Sequence, residues 1–416
     1  MTRPDGGAGT TTPWDVVVVG SGGAGMSAAI TAADAGASVL VVTKSALGAS
    51  NTGRAQGGIQ AAVGPEDTPD THFRDTFAAG HDRGEPSLVR RLTEDGPGAI
   101  RWLAGLGVPF TEDDGELRII RCGGASRPRL LQAGERTGAE MVKALRAGVR
   151  ARIISIMETT RVVGFEPAAD GWLVRTDDPE HREIQTRTLL LAAGGGLRGE
   201  ADRLGVGSTN HPDATPEVLE TAVALGAEAV HLDSWQRHPT GSVWPEALAG
   251  YALPETTRSY GATLLDRDGN RFVDELAPRD VVANAIIETV AAGQGVTAPN
   301  GRDAVWLDTT AIDRVNGSGF TAERLAYVTN RYRKAGVDIT REKVMVFPVL
   351  HYRNGGLRID DHARTTLSGL FAAGEIAGGV HGTNRLMGNS LLDTVVFGRV
   401  AGQAAAETAI NQRRTM

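Results

Sequence analysis

The 416-residue sequence has one cysteine, Cys122. A single thiol excludes an intrachain disulfide framework, a cysteine-held iron–sulfur cluster and a CxxCH haem site. Any electron relay beyond one organic cofactor therefore comes from outside the chain. Long apolar runs are missing too. Stretches such as residues 16–19 and 189–193 fall far short of the roughly 20 residues that span a bilayer. A basic excess is also absent. Lys and Arg number 43 against 50 Asp and Glu, a formal charge of −7, which leaves no footprint for nucleic acid. Nor does an acidic surface steer anions from afar, so an anion site has to be local. Residues 1–13 are rich in Gly and Thr and lack an apolar h-region. They read as a flexible tail rather than a signal peptide, and the expected location is cytoplasmic.

What is present starts with a run of four valines over residues 16–19. It reads as a buried parallel strand and ends in Gly20, Ser21, Gly22, Gly23, Ala24 and Gly25. An alanine-rich helix follows and stops at Gly36, and residues 38–43 give a second buried strand. This is a βαβ start with GxGxxG between strand and helix. The first glycine allows the tight turn, the second lets a pyrophosphate approach the backbone, and the third allows close helix–strand packing. The acidic residue that NAD sites place after the second strand is replaced by Thr43, Lys44 and Ser45. A second feature lies near the other chain end, where a short apolar strand runs into Gly374 and Glu375. A two-ended site of this kind suits FAD, which is held along its ribityl chain as well as at its pyrophosphate.

Helices are expected over residues 85–107 and 137–152, and strands over 162–164, 172–176 and 186–192, the last entering a glycine cluster at 194–196. From about residue 233 to 347, turn-rich polar stretches alternate with helices expected at 281–292 and 321–335. The predicted fold class is α/β, a Rossmann-like FAD-binding domain (14–232 and 349–416) with an inserted α+β capping domain (233–348).

Five blocks, in order, carry a family resemblance. They are Ala55-Gln-Gly-Gly-Ile59, Trp235-Gln-Arg-His-Pro-Thr-Gly241, Leu276-Ala-Pro-Arg-Asp-Val-Val282, His351-Tyr-x-x-Gly-Gly356, and His381-Gly-Thr-Asn-Arg-Leu386 with Asn389-Ser-Leu-Leu-Asp393. The chain resembles the succinate dehydrogenase, fumarate reductase and L-aspartate oxidase flavoproteins over about residues 14 to 408. The resemblance implies FAD contacts from the Gly20–Gly25 loop, Thr43, Lys44, Ser45, Ser50, Asn51, Thr52, Gly57, Gly58, Glu375, Ser390, Leu391 and Leu392. Ala193 and Gly194 join this set, as does Glu217, which keeps a carboxylate where the family has Thr-Gly-Asp-Gly. Succinate dehydrogenases attach FAD through a histidine whose place Asn51 takes here, which implies non-covalent FAD.

Moving a hydride between flavin N5 and a carbon beside a carboxylate needs fixed donors for the carboxylates and a proton donor or acceptor at the adjacent carbon. By the resemblance, His351 and Arg385 clamp one carboxylate, His238 holds the other, and Arg279 is the proton shuttle. An arginine keeps its proton to a pKa above about 12, so it serves only with a relay. Glu255 and Arg258 supply one, as in the fumarate reductases. The implied reaction interconverts saturated and unsaturated dicarboxylates. The second reading is oxidation of an amino dicarboxylate to an imine, with O2 or fumarate as acceptor.

Some positions depart from the family pattern. Pro254 stands where fumarate reductases have a carboxylate-holding threonine, and Arg237 replaces the usual phenylalanine before His238. Cys122 takes the place of a glutamate that contacts the substrate amine in L-aspartate oxidases, although Ala277 to Asp280 reads like that enzyme. These departures point to a substituted dicarboxylate as substrate. The helical domain that follows the flavin-closing helix in succinate dehydrogenases is not in this sequence, which argues against an iron–sulfur partner subunit.

Overall fold

The structure is a computed structural model that describes residues 12–415. Residues 1–11 of the expected tail lie outside the described residues. Strand Trp14–Val19 sits mid-sheet, pairing in parallel with Val39–Val42 on one side and Glu183–Leu191 on the other. Ile154–Met157 extends the parallel array beyond Val39–Val42. Gly171–Thr176 and Val162–Ala168 add antiparallel strands, and the short Leu370–Ala372 pairs in parallel with the end of Glu183–Leu191. Val16, Val17 and Val18 are fully buried, because helices cover both faces of a parallel sheet. Each such side chain contributes about 1.5–3 kcal/mol of burial.

The two chain ends meet on this sheet. Helix Gly23–Asp34 packs along the 27-residue helix Asn389–Thr415. Glycines on the latter allow the close approach: a Cβ on Gly398 would lie 2.7 Å from Ala24 O, and one on Gly402 would lie 2.3 Å from Ala28 O. This seam holds Ser390 and Leu391 beside the glycine loop.

The segment between carries its own hydrophobic cluster, with Leu253, Leu264, Ile286, Val305, Leu307 and Tyr332 inside. Its sheet runs Trp235–Trp244, Val344–Arg353, Asp303–Asp308, Thr263–Leu265, with Val296–Thr297 beside Asp303–Asp308. The Val344–Arg353 strand passes straight through the expected boundary at 348. Its first residues pair with Asp303–Asp308, and at its far end Arg353 donates its backbone N–H to Glu375 at 3.0 Å. The helix expected over 321–335 is two helices, Phe320–Arg324 and Ala326–Lys334, broken at Leu325 (φ −125°, ψ 37°). Glu135, from the main domain, accepts the Tyr327 N–H on both carboxylate oxygens at 2.8 Å and so caps the second helix. Among the described residues no helix is long and apolar enough to cross a membrane.

Candidate active site

A cavity of about 650 Å³ opens between the glycine loop and the inserted domain. One end is lined by Gly20, Ser21, Gly22, Gly23, Ala24, Thr43, Lys44 and Ser45. Gly20 has φ +104°, and a Cβ there would sit 2.4 Å from Ala192 O, so the turn demands glycine. Gly25 does not line the cavity. A Cβ on it would lie 2.0 Å from Gly20 O, which is the close-packing role expected of the third glycine. Helix Gly23–Asp34 has no side-chain cap hydrogen bond from its N-cap residue, Gly22. Its first amides therefore suit a phosphate.

The rest of the expected cofactor set divides. Ser50, Asn51, Thr52, Gly57, Gly58, Ala193, Gly194, Glu375, Ser390 and Leu391 all line the cavity. Leu392 does not, being fully buried in the core, where its side chain packs near Gly96. Glu217 does not either. Its side chain is exposed and pairs with Lys44 at 3.3 Å, while Asp213 lines the cavity and bonds Ser45. Asn51 donates to Asn210 Oδ1 (2.8 Å) and Glu375 Oε2 (3.2 Å). Burial raises the Glu375 pKa above the ordinary carboxylate value. The uncapped helix start, the space above Gly194 and the polar far wall fit a long dinucleotide such as FAD.

The inner end holds the cations. Arg279 donates Nε to Glu255 Oε2 at 2.8 Å and Nη1 to Gln236 Oε1 at 3.1 Å. Its Nη2 has no protein partner among the described residues. Arg258 approaches the same Glu255 oxygen at 3.2 Å from behind, fully buried. Arg385 donates Nη2 to Gln236 Oε1 at 2.8 Å and lies 4.5 Å over the Tyr352 ring, with its Nε unpartnered. His238 Nδ1 lies 3.3 Å from the Thr240 N–H, which leaves Nε2 as the protonated nitrogen of the neutral ring. The His351 ring is 5.2 Å from it, held by Thr209 Oγ1 at 2.7 Å.

The electrostatics follow from this crowding. Burial, then the Arg279 cation, lowers both histidines well below their usual value, so the imidazoles are neutral. For Glu255 burial alone would raise the pKa, but Arg279 and Arg258 outweigh it and the carboxyl titrates below its ordinary value. Burial, then Arg279, lowers Arg385.

Sequence reasoning thus placed Arg279, Glu255, His238, His351 and Arg385 around one cavity, with Arg258 behind them. Arg237 is a correction: it is exposed and does not line the cavity, because it sits between the buried Gln236 and His238 on one strand. Cys122 is a second correction. It is buried behind the wall, 3.0 Å from Gln60 Nε2, and is not among the lining residues. Of those three departures only Pro254 borders the cavity. Gln236 was missed. The signal was available in the alternation that puts it on the same side as His238.

A family model described as an FAD binding domain matches residues 15–391. A fumarate reductase (CoM/CoB) flavoprotein chain of Methanothermobacter marburgensis is 38% identical over 96% of this chain and 74% of that protein. L-aspartate oxidase of Streptomyces coelicolor is likewise 38% identical, over 95% of this chain and 69% of its own length. Among solved structures, E. coli quinol fumarate reductase superposes with a TM-score of 0.87 at 28% identity, covering 96% of this chain and 71% of that one. The glycine loop, the two-ended cavity and these matches agree: the chain belongs to the FAD-binding oxidoreductase family of the succinate dehydrogenase, fumarate reductase and L-aspartate oxidase flavoproteins.

Proposed function

We propose that the protein interconverts a saturated and an unsaturated dicarboxylate at a Cα–Cβ bond, with non-covalent FAD. The observation that carries this is a charge excess. Three guanidiniums, Arg258, Arg279 and Arg385, crowd the inner end, and among the described residues Glu255 is the only carboxylate that ion-pairs with any of them, a balance of two positive charges. Unpaired buried charge is costly, so the cavity is built to receive a dianion.

FAD supplies a two-electron centre that gives or takes a hydride at N5. Arg385 and His351 hold one carboxylate, and His238 Nε2–H donates to the other. Arg279 turns its free Nη2 to the substrate. It gives a proton to the carbon beside the hydride acceptor in the reductive direction and takes it back in the oxidative one. Glu255 keeps Arg279 charged and passes protons between it and Arg258. Asn51 supports the non-covalent attachment, since a carboxamide offers no nucleophilic nitrogen to a flavin.

Two observations favour a second reading, amino-dicarboxylate oxidation. The Streptomyces L-aspartate oxidase is as similar as the Methanothermobacter fumarate reductase chain, and Ala277 to Asp280 reads like that enzyme. The deciding experiment mixes dithionite-reduced holoenzyme anaerobically with fumarate and substituted unsaturated dicarboxylates, and oxidised holoenzyme with succinate and L-aspartate. Reoxidation of the flavin by an unsaturated dicarboxylate supports the first reading. Reduction by L-aspartate alone, with peroxide formed on aeration, replaces it with the second.

A further inference from the structure

A continuous chain of side-chain hydrogen bonds runs from the protein surface to both cavity arginines. Exposed His81 places Nε2 3.0 Å from Asp280 Oδ2. Asn384 donates Nδ2 to Asp280 Oδ1 at 2.9 Å. Gln236 donates Nε2 to Asn384 Oδ1 at 2.8 Å. Its own Oε1 then accepts from Arg279 at 3.1 Å and from Arg385 at 2.8 Å.

We propose that Asp280 is a positioning residue that, through Asn384 and Gln236, fixes which end of the Gln236 amide faces Arg279 and Arg385. This rests on the reading above, in which those arginines act on a dicarboxylate. The argument is one of donor polarity. A carboxamide has a donor end and an acceptor end of almost the same shape, whereas a guanidinium only donates and an ionised carboxylate only accepts. With Asp280 accepting, Asn384 turns its NH2 outward and its oxygen inward. Gln236 then turns its NH2 to Asn384 and its oxygen to the arginines. If either amide reversed, NH2 would meet donor-only guanidiniums, and two buried cations would lose their shared acceptor. Backbone carbonyls agree with this direction, because Ala79 O accepts from the Asn384 amide at 3.1 Å and Arg385 O from the Gln236 amide at 2.6 Å. Asp280 is well anchored for the role. It lies in the first turn of helix Arg279–Ala291, where a carboxylate is favoured by the helix dipole, and it directly follows Arg279.

The test compares Asn384→Asp with the exchange variant Asp280→Asn/Asn384→Asp, both as holoenzymes. In the single variant two acceptor-only groups face each other and the chain loses its direction. In the exchange variant the amide placed at position 280 donates to the carboxylate placed at position 384, which still accepts from Gln236, so direction and net charge are restored. The expected result is a kcat/KM for the dicarboxylate reduced about a hundredfold in the single variant and recovered at least about tenfold in the exchange variant, a coupling that independent structural damage does not give. Crystal structures of both variants provide a second readout that needs no substrate. The arginines should part from Gln236 Oε1 in the single variant and rejoin it in the exchange variant. An exchange variant no better than the single one, or a single variant with both arginines still on Gln236 Oε1, overturns the proposal. A wild-type enzyme inert to every dicarboxylate overturns the proposed function instead, while the crystal structures still decide the chain.

Discussion

Glu255 Oε2 lies 2.8 Å from Arg279 Nε, with both side chains out of solvent. An arginine has to be able to give up a proton to act as a shuttle, and this contact is the one that lets it. Glu255→Gln keeps the shape and removes the charge, so Arg279 loses both its proton partner and part of its orientation. The kcat is expected to fall by about 10²–10⁴, the usual range for general acid–base groups, with KM changed far less. Steady-state kinetics check it. A kcat within about tenfold of wild type removes Glu255 from the relay.

The glycine loop was legible in the sequence because everything it needs is local: a valine run, a turn that only glycine fits, and a helix start. The ends of the cavity were legible only as separate blocks. The inserted domain was read least well. Strand Trp235–Trp244 contains Pro239 and Gly241 and lacks a clean apolar alternation, since it is fixed by its antiparallel partner Val344–Arg353, more than 100 residues away. Missing that strand led directly to Arg237 being placed in the site and Gln236 being left out. Glu217 was misplaced for a similar reason. Its carboxylate sits near the expected motif in sequence, but in space Lys44 draws it toward solvent, and Asp213 faces the cavity.

The position of Cys122 gives a negative expectation. Its thiol is fully enclosed, and burial, then the Glu255 charge, pushes its pKa far up. A buried, protonated thiol behind the wall neither binds substrate nor reacts. Cys122→Ala should retain kcat/KM to within about threefold, with a stability loss of about 1 kcal/mol for the small void. Native protein should resist thiol reagents until it is unfolded. Rapid labelling of the folded enzyme, or a large change in KM, would show that the side chain reaches the cavity after all.

Acid should destabilise the fold through histidines that are buried neutral. His72 is fully buried, with Nε2 2.8 Å from Asn389 Oδ1 at the start of the last helix. Burial, then Arg129, lowers its pKa to about 4. In the unfolded chain it titrates near 6.5, so between those values the unfolded state binds the extra proton. Its contribution is complete above about pH 6.5 and shrinks by about 1.4 kcal/mol for each pH unit below. His238 acts with the same sign. Urea unfolding of wild type from pH 7 to pH 5 should show this slope, and His72→Gln should flatten it by one proton. An unchanged slope in the variant would mean that His72 is protonated in the native state.

The rim of the cavity makes a kinetic prediction. Arg54, Arg136 and Arg331 line it, and no carboxylate of the described residues lies within ion-pair distance of any of them. Two are stacked on tyrosines instead, Arg136 5.0 Å over Tyr327 and Arg331 4.4 Å over Tyr251. On a chain of formal charge −7 this is a local reversal of sign at the entrance. Such a rim attracts a dianion as far as salt allows, and the screening length is about 10 Å at 0.1 M ionic strength. The kcat/KM for a dicarboxylate should therefore fall as salt rises from about 20 to 200 mM. Arg331→Gln should lower kcat/KM about threefold at low salt and match wild type at high salt. A deficit that stays constant across the salt series would mean that Arg331 acts by contact with the bound ligand rather than by steering it in.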